Sequence, residues 1–474
     1  MMSTRRMSRP GTRTARARAS KPRLEGLEGR FLMYATSGGS WVHANRITYS
    51  FVPDGTDVGG TTSNLFATLN ASYSTATWQA QIRRAVAVWQ AVSNINVVEV
   101  ADDGTPIGAH GMQQGDSRFG DIRIGGMTQA AGQLGMSWAT PPFNGGTLAG
   151  DVFVNTSKDW SGGTNSYDIQ TLAIHEIGHA LGMSHSAVTN ASMYYTYMGT
   201  DTTLLSDDIA GIRAIYNTRQ PDAYDAASPG NYNPANASTL PAPDARGQIS
   251  IAGLDISTQS DGDHFKIVVP ASTTGSMTVR MQSTGLSSLS PRLHILNASS
   301  QTIATAIAAV TDYGATVSLT VNGLVAGQTY YIRALPSNSG PSGAGAYGLQ
   351  VNFGSDIQPP IPPPVTTVPE APDQLWGANP FSIDLGLKSS GRGRGHKPRG
   401  EHDEGNLTFG SLSGRGDTVT VGRQRNHQDE LEQFAQRRRT VTLAWLFVEP
   451  DLDDDRDGSA SRDSNLPAEP SQID

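Results

Sequence analysis

The sequence predicts an α+β unit, a twisted mixed sheet layered with helices, followed by an all-β sandwich and a disordered tail. Three observations predict this. Trp78, Ile82, Ala85, Trp89 and Val92 recur at spacings of four and three, one apolar stripe along an amphipathic helix. Short β-branched runs punctuated by Gly and Asp surround that helix and read as strands. Beyond about residue 246 the helical period disappears, alternating runs recur at regular spacing, and the chain finally becomes Pro-rich and polar.

Taken in order, residues 1–38 form a basic segment. Met1 to Arg23 is rich in arginine and has no apolar stretch long enough for an ordinary signal peptide or a membrane span. The unit from 39 to 220 starts with a strand at Ile47–Phe51, continues through the amphipathic helix, and has further strands at Ile95 to Val100, Asp121 to Ile124 and Asp151 to Val154. Asn165 and Asp168 have the spacing of a polar N-cap with an acidic residue three positions on, which starts a helix near Asn165. Ile169, Leu172 and Ala173 anchor that helix to the core.

The chemistry lies on this helix, in His175-Glu176-Ile177-Gly178-His179-Ala180-Leu181-Gly182-Met183-Ser184-His185. His175 and His179 stand one turn apart on one face, so both imidazoles reach a single ion. Gly182 breaks the helix, and a residue tolerant of left-handed backbone lets the chain turn so that His185 closes the triad from another direction. Three neutral imidazoles with an open fourth position suit Zn(II). Glu176, beside the first ligand, is placed to serve as general base. With 10 histidines in 474 residues, the five fixed positions of this pattern are far more specific than a bare HExxH.

This motif resembles that of the metzincin clan of zinc peptidases, which carry it ahead of a Met-turn. Ala191-Ser192-Met193-Tyr194 sits where that turn belongs, so the resemblance implies that Met193 lies beneath the histidines. Leu205 to Tyr216 is similar to the closing helix of the matrixins, and Ile47–Phe51 and Gly120 to Ile124 resemble two of their strands. The resemblance covers about residues 40 to 217 and implies a three-layer zincin fold with an active-site helix, a zinc-dependent endopeptidase activity, and a peptide held extended against an edge strand near Gly132 to Trp138.

Departures from the matrixin pattern carry their own expectations. Met136 and Phe153 stand where the family has histidines for a second, structural zinc, so one zinc ion is expected. Asp121 and Asp151 match positions that help hold structural calcium; a strand-end turn is the competing reading for both. Tyr195 replaces the proline usual in matrixins, and other metzincin branches carry a tyrosine there that approaches the zinc. Tyr195, with Tyr197 as the nearby competitor, therefore either assists the transition state or lines the specificity pocket.

The remaining chain is read from composition. The sequence has no cysteine, which excludes disulfides and the cysteine-based latency of animal matrixins, and the residues before Trp41 leave little room for a folded pro-domain. A net charge of -8 gives no reason to expect nucleic acid, and the expected partner is a protein or peptide substrate of a monomeric enzyme. Leu27-Glu28-Gly29-Arg30-Phe31-Leu32-Met33 resembles a short motif near the start of many exported bacterial proteins, pointing to secretion or the cell surface. Residues 221–246 read as a linker. Strands at Asp263 to Val269, Met277 to Val279, Leu293 to Ile295 and Val317 to Leu319 then build a sandwich over 247–355. Gly327 to Arg333 and Gly345 to Leu349 resemble the last strands of bacterial pre-peptidase C-terminal domains, which implies attachment to a surface or matrix, or a passive appendage. From 356 to 474 a Pro-rich linker leads into a polar tail. In that tail Arg415-Gly416-Asp417 has negligible specificity, and Asp453, Asp455 and Asp457 start like a calcium loop that Ser464 fails to complete. Val441 to Val448 is an apolar run too short to cross a bilayer that docks on another surface or aids sorting. The alternative function is a surface- or matrix-binding protein with a degenerate peptidase unit.

Overall fold

The computed structural model describes residues 34–370, apart from 228, 272–274 and 355–357, together with the backbone of Ala444–Val448. The basic segment, its export-like motif, Arg415 to Asp417 and the acidic run from Asp453 lie outside the described residues.

The first layer opens with β1 (Ile47–Phe51), buried at every position, then a short α1 (Leu65–Asn70) and the long α2 (Thr75–Val92). Ser74 caps α2 by accepting from the Thr77 N–H, and the predicted stripe of Trp78, Ile82, Ala85 and Trp89 is buried. Strands β2 (Val97–Glu99), β3 (Met112–Gln114), β4 (Ile122–Met127), β5 (Gln133–Trp138) and β6 (Val152–Asn155) follow. Helices α3 (Ile169–Ala180) and α4 (Ser206–Tyr216) complete the unit. Strands β1, β2, β4 and β6 pair in parallel, whereas β5 runs antiparallel along the edge of β6. Parallel strands require cover on both faces, which fits the burial of every residue of β1 and β6, the polar Thr48 and Ser50 included. Both α2 and α3 bury their apolar faces in the cluster that holds Trp41, Trp78, Trp89 and Trp160.

Helix α3 starts at Ile169 rather than near Asn165. The Asp168 carboxylate accepts from the Thr171 N–H at 2.7 Å and is the true cap, while Asn165 adopts a left-handed φ of 65° in the preceding loop.

The C-terminal part is β-rich. A two-residue β7 (Ser238–Thr239) within the stretch read as a linker precedes β8 (Gln248–Ile256), β9 (Asp263–Val268), β10 (Ser276–Gln282), β11 (Pro291–Leu296), β12 (Thr302–Ile307), β13 (Thr316–Asn322), β14 (Thr329–Pro336) and β15 (Gly345–Asn352). They form one sheet ordered β13-β10-β15-β8 and another ordered β12-β11-β14-β9-β7, whose buried residues share a single cluster including Phe265, Met277, Ile295 and Tyr347. A final pair of short strands joins β16 (Val368–Pro369) to β3.

Within the run Val441 to Val448, expected to dock on another surface or aid sorting, Ala444–Val448 forms β17 and pairs antiparallel with β5, placing Trp445 opposite Ser137 and Phe447 opposite Gly135. The β-rich part is also locked to the first unit through the fully buried Gln90. Its Oε1 accepts from the N–H groups of Val97 (2.8 Å) and Ser288 (3.1 Å), and its Nε2 donates to the Ala344 carbonyl (2.7 Å).

Candidate metal centre

Helix α3 carries His175, Glu176 and His179, all buried. The chain then leaves the helix as predicted. Gly182 takes φ = +100°, and a Cβ there would stand 2.5 Å from the Gly39 carbonyl oxygen. The turn is held by the Met183 N–H donating to the Gly178 carbonyl (2.9 Å) and by the Ser37 N–H donating to the Gly182 carbonyl (2.8 Å). His185 thereby comes round to face the other two rings, with centroids 5.3 Å from His175 and 4.8 Å from His179.

The three ligand atoms lie within 4.8 Å of one another. The Nε2 atoms of His175 and His179 are 3.1 Å apart. Two nitrogens bound to one tetrahedral zinc at Zn–N of about 2.0–2.1 Å stand about 3.3 Å apart, so this pair is spaced for a shared ion. His175 Nδ1 donates to the Ser192 carbonyl (2.7 Å) and His179 Nδ1 to the Met183 carbonyl (2.9 Å). A carbonyl only accepts, so each Nδ1 carries the proton and each Nε2 presents its lone pair inward. Burial, followed by the neighbouring imidazoles, holds both histidines well below their ordinary pKa and so neutral.

Glu176 is fully buried, and neither carboxylate oxygen has a hydrogen-bond partner. Burial pushes its pKa well up. A carboxylate left unsatisfied in the interior is costly, and one beside three converging imidazoles fits a site completed by a cation and its water. The donor set, all neutral nitrogen with an adjacent carboxylate, is that of zinc.

The support below the histidines was only half legible. Met193 is buried at Gly178, where a Cβ would collide with Met193 Sδ, so the glycine is required by the close approach of the turn. Asp208 of α4, overlooked as one of an acidic pair at a helix start, clamps the same turn: its carboxylate accepts from the N–H groups of Ser192 (3.0 Å), Met193 (3.1 Å) and Leu205 (3.0 Å). Since the Ser192 carbonyl receives His175 Nδ1, Asp208 is a positioning residue one peptide removed from a ligand. Gly135 of β5 was also missed. A Cβ there would meet Glu176 Oε1 at 2.9 Å, so the edge strand passes directly against the carboxylate.

The other predicted residues fall as follows. Tyr195 is 47% exposed, its ring centroid 6.4 Å from that of His185. Tyr197 is buried, accepts the Asp168 N–H at 3.1 Å and packs edge-on to Tyr167. Met136 packs against a satellite cluster that contains Phe153. Asp121 accepts from the N–H groups of Thr48 (2.7 Å) and Gly115 (2.5 Å), and Asp151 from that of Arg123 (3.0 Å). Each stands just before a strand, Asp121 before β4 and Asp151 before β6, with Asp151 Oδ2 buried and without a hydrogen-bond partner; among the described residues the group of three carboxylates spaced to share a cation is Asp222, Asp225 and Asp263.

Fold and site together place three histidines, spaced to share one metal ion, on a mixed α/β scaffold. Residues 40–217 match the family model described as Matrixin, so this part of the chain is a matrixin domain. The chain is 33% identical over 191 residues to the hatching enzyme of Paracentrotus lividus, covering 40% of this chain and 28% of that protein. It is 31% identical over 140 residues to interstitial collagenase of Equus caballus, covering 29% of this chain and 28% of the relative. Against matrilysin of Rattus norvegicus it is 39% identical over 90 residues, covering 18% and 32%. The chain thus spans about a third or less of the length of these relatives.

Proposed function

We propose that this chain is a secreted zinc-dependent endopeptidase. The observation that carries the reading is the convergence of three imidazole nitrogens beside a buried carboxylate with no hydrogen-bond partner, in a matrixin domain. His175, His179 and His185 would hold the ion. When bound, zinc supplies Lewis acidity, drawing the pKa of water toward neutrality and polarising a peptide carbonyl. Glu176 is the general base: its carboxylate takes the water proton and returns it to the departing amine.

The substrate backbone lies extended along β5, using main-chain hydrogen bonds for affinity. Support for this comes from the edge itself, which already accepts an antiparallel strand, β17, with Phe447 opposite Gly135. Glu176 reaches the same glycine, so a chain seated there passes the carboxylate. We place Tyr195 at the rim of this cleft, where Tyr195→Phe separates its two roles: a strong fall in kcat marks transition-state assistance, and an unchanged kcat leaves it a wall of the pocket. We read the chain as an exported bacterial protein from its Leu27 to Met33 run, with the β-rich C-terminal part as a sandwich that attaches to a surface. No helix among the described residues is long and apolar enough to cross a membrane.

The expected result is that the purified chain cleaves casein, that a chelator abolishes cleavage, and that added zinc restores it. Bound zinc without cleavage of casein or of a denatured proteome would overturn the endopeptidase reading in favour of a degenerate unit.

A further inference from the structure

Away from the histidines, a second set of donors converges where the segment after α4 meets the C-terminal sheets. Asp222 and Asp225 come from that segment and Asp263 from the start of β9, and one carboxylate oxygen of each lies within 4.8 Å of the others. Asp225 is 5% exposed and Asp263 fully buried. The amide of Asn231, also fully buried, sits between them, with one head-group atom 2.8 Å from Asp225 Oδ1 and 3.2 Å from Asp263 Oδ1. A fourth carboxylate, Asp261, is 4% exposed and near enough to Asp225 to hydrogen-bond when one of them is protonated. Two of these buried oxygens, Asp225 Oδ2 and Asp261 Oδ1, have no hydrogen-bond partner.

The surroundings hold the carboxylates in place without neutralising them. Asp222 Oδ1 accepts from the N–H groups of Tyr224 (2.7 Å) and Asp225 (3.2 Å), and its Oδ2 from that of Asp255 (3.1 Å). Asp261 Oδ2 accepts from the N–H and hydroxyl of Ser257, leaving Oδ1 over. The Tyr347 hydroxyl donates to Asp263 Oδ2 at 2.5 Å, leaving Oδ1 for the centre. Arg219, the nearby cation, is turned to Asp255 (2.8 Å) and to the Ile95 carbonyl (2.7 Å). Among the described residues none of the ion pairs includes Asp222, Asp225, Asp261 or Asp263.

We propose that Asp222, Asp225, Asp263 and the carbonyl oxygen of Asn231 form a calcium site that fastens the segment after α4 to the C-terminal sheets. The donors are all hard oxygens with no nitrogen or sulfur among them, which selects an alkaline-earth cation over zinc. Calcium accepts irregular oxygen cages, whereas magnesium demands near-ideal octahedral geometry and keeps its waters. Asn231 explains how the site tolerates loss of its ion: its NH₂ bridges the two carboxylates when no cation is present, and a half-turn of the amide offers the oxygen when one is. Through Arg219 and the Ile95 carbonyl, the cation would stiffen the path between the β-rich part and the matrixin domain.

The test uses the full chain, stripped of cations by a chelator and resupplied with zinc, with terbium as the probe. Excitation of Tyr347 should sensitise terbium luminescence, calcium should displace it, and calcium alone should raise the thermal midpoint. Asp263→Asn and Asn231→Ala should each weaken terbium binding at least about tenfold, whereas Asp121→Asn should leave it unchanged. Circular dichroism reports whether each variant is folded; if Asp263→Asn is not, Asn231→Ala decides alone. Absence of sensitised luminescence, or binding unaltered in the folded variants, overturns the site. Displacement by magnesium as readily as by calcium overturns the assignment of the ion. None of these readouts depends on peptidase activity.

Discussion

The role proposed for Glu176 rests on its neighbours as much as on its own carboxylate. Helix spacing puts it one residue past His175, but only Gly135 on β5 leaves room for its head group between strand and triad. Glu176→Gln is isosteric and keeps the histidines in place, so zinc content should stay at one equivalent while kcat/KM on casein falls about 10²- to 10⁴-fold. A loss of zinc together with activity would recast the residue as structural. Asp208 acts at one remove. Asp208→Asn turns a carboxylate that accepts three N–H groups into an amide with one oxygen, leaving at least one buried donor unsatisfied, at a cost of about 1–3 kcal/mol. The expected signature is a lower thermal midpoint combined with faster loss of zinc to a chelator, because the Ser192 carbonyl that orients His175 loosens with it.

At the scale of elements, β5 serves two partners. It closes the sheet on β6 with one edge and offers the other to an extended chain, and in this structure that edge is paired with β17. A strand edge beside a buried carboxylate is a ready template for any extended segment. A segment tethered to the same molecule competes at high effective concentration. Removal of residues 371–474 should therefore lower KM for an extended peptide severalfold with kcat unchanged, and Phe447→Pro, which takes an N–H from mid-strand, should do the same. Equal KM values for the full and shortened chains would mean that substrate and tail do not share the edge. The exit from α3 is the other element on which the site depends. Gly182→Ala adds a Cβ to a left-handed residue packed on the Gly39 carbonyl, and His185 should be displaced, read as weaker zinc binding with α3 still formed.

For the molecule as a whole, the joint between the two parts is polar and buried. Gln90→Ala would strand two N–H donors and a carbonyl, and it should lower the thermal midpoint or split one unfolding transition into two. The acidic cluster makes stability depend on pH. Burial first, then the neighbouring Asp261, pushes Asp225 up to about 7, and burial pushes Asp263 up to about 9 despite the Tyr347 hydroxyl. Asp222, Asp255, Asp261, Tyr232 and Tyr347 face the pair, and Arg219 is engaged by Asp255. Carboxylates of an unfolded chain ionise near pH 4, so the folded state binds more protons up to about pH 9 and stability falls as pH rises. The buried histidines titrate with the opposite sign, but only below about pH 6.5, where the unfolded chain gains protons. In chelator the thermal midpoint should thus fall between about pH 7 and 9, less so in Asp263→Asn, and excess calcium should flatten it.

How much of this was legible follows from the range of the forces involved. Spacings of three and four on one helix, a glycine forced into left-handed backbone and an apolar stripe are local, and they announced His175, Glu176, His179, Gly182 and α2. Strand β12 was invisible because its side chains alternate without a buried face, and β8 because Gly253 interrupts its alternation. The cap at Asp168 was mistaken for Asn165 because either residue offers the same side-chain oxygen, and only the backbone path decides which one meets the N–H. The sequence by itself determined which atoms can seize a metal, since ligands one turn apart need no distant partner. Tertiary structure alone decided what surrounds them: the clamp of Asp208, the glycine against Glu176, the strand laid on β5 and the carboxylates gathered around Asn231. Those contacts join residues tens to hundreds of positions apart, and no pattern within a single segment encodes a burial or a charge environment that two segments create together.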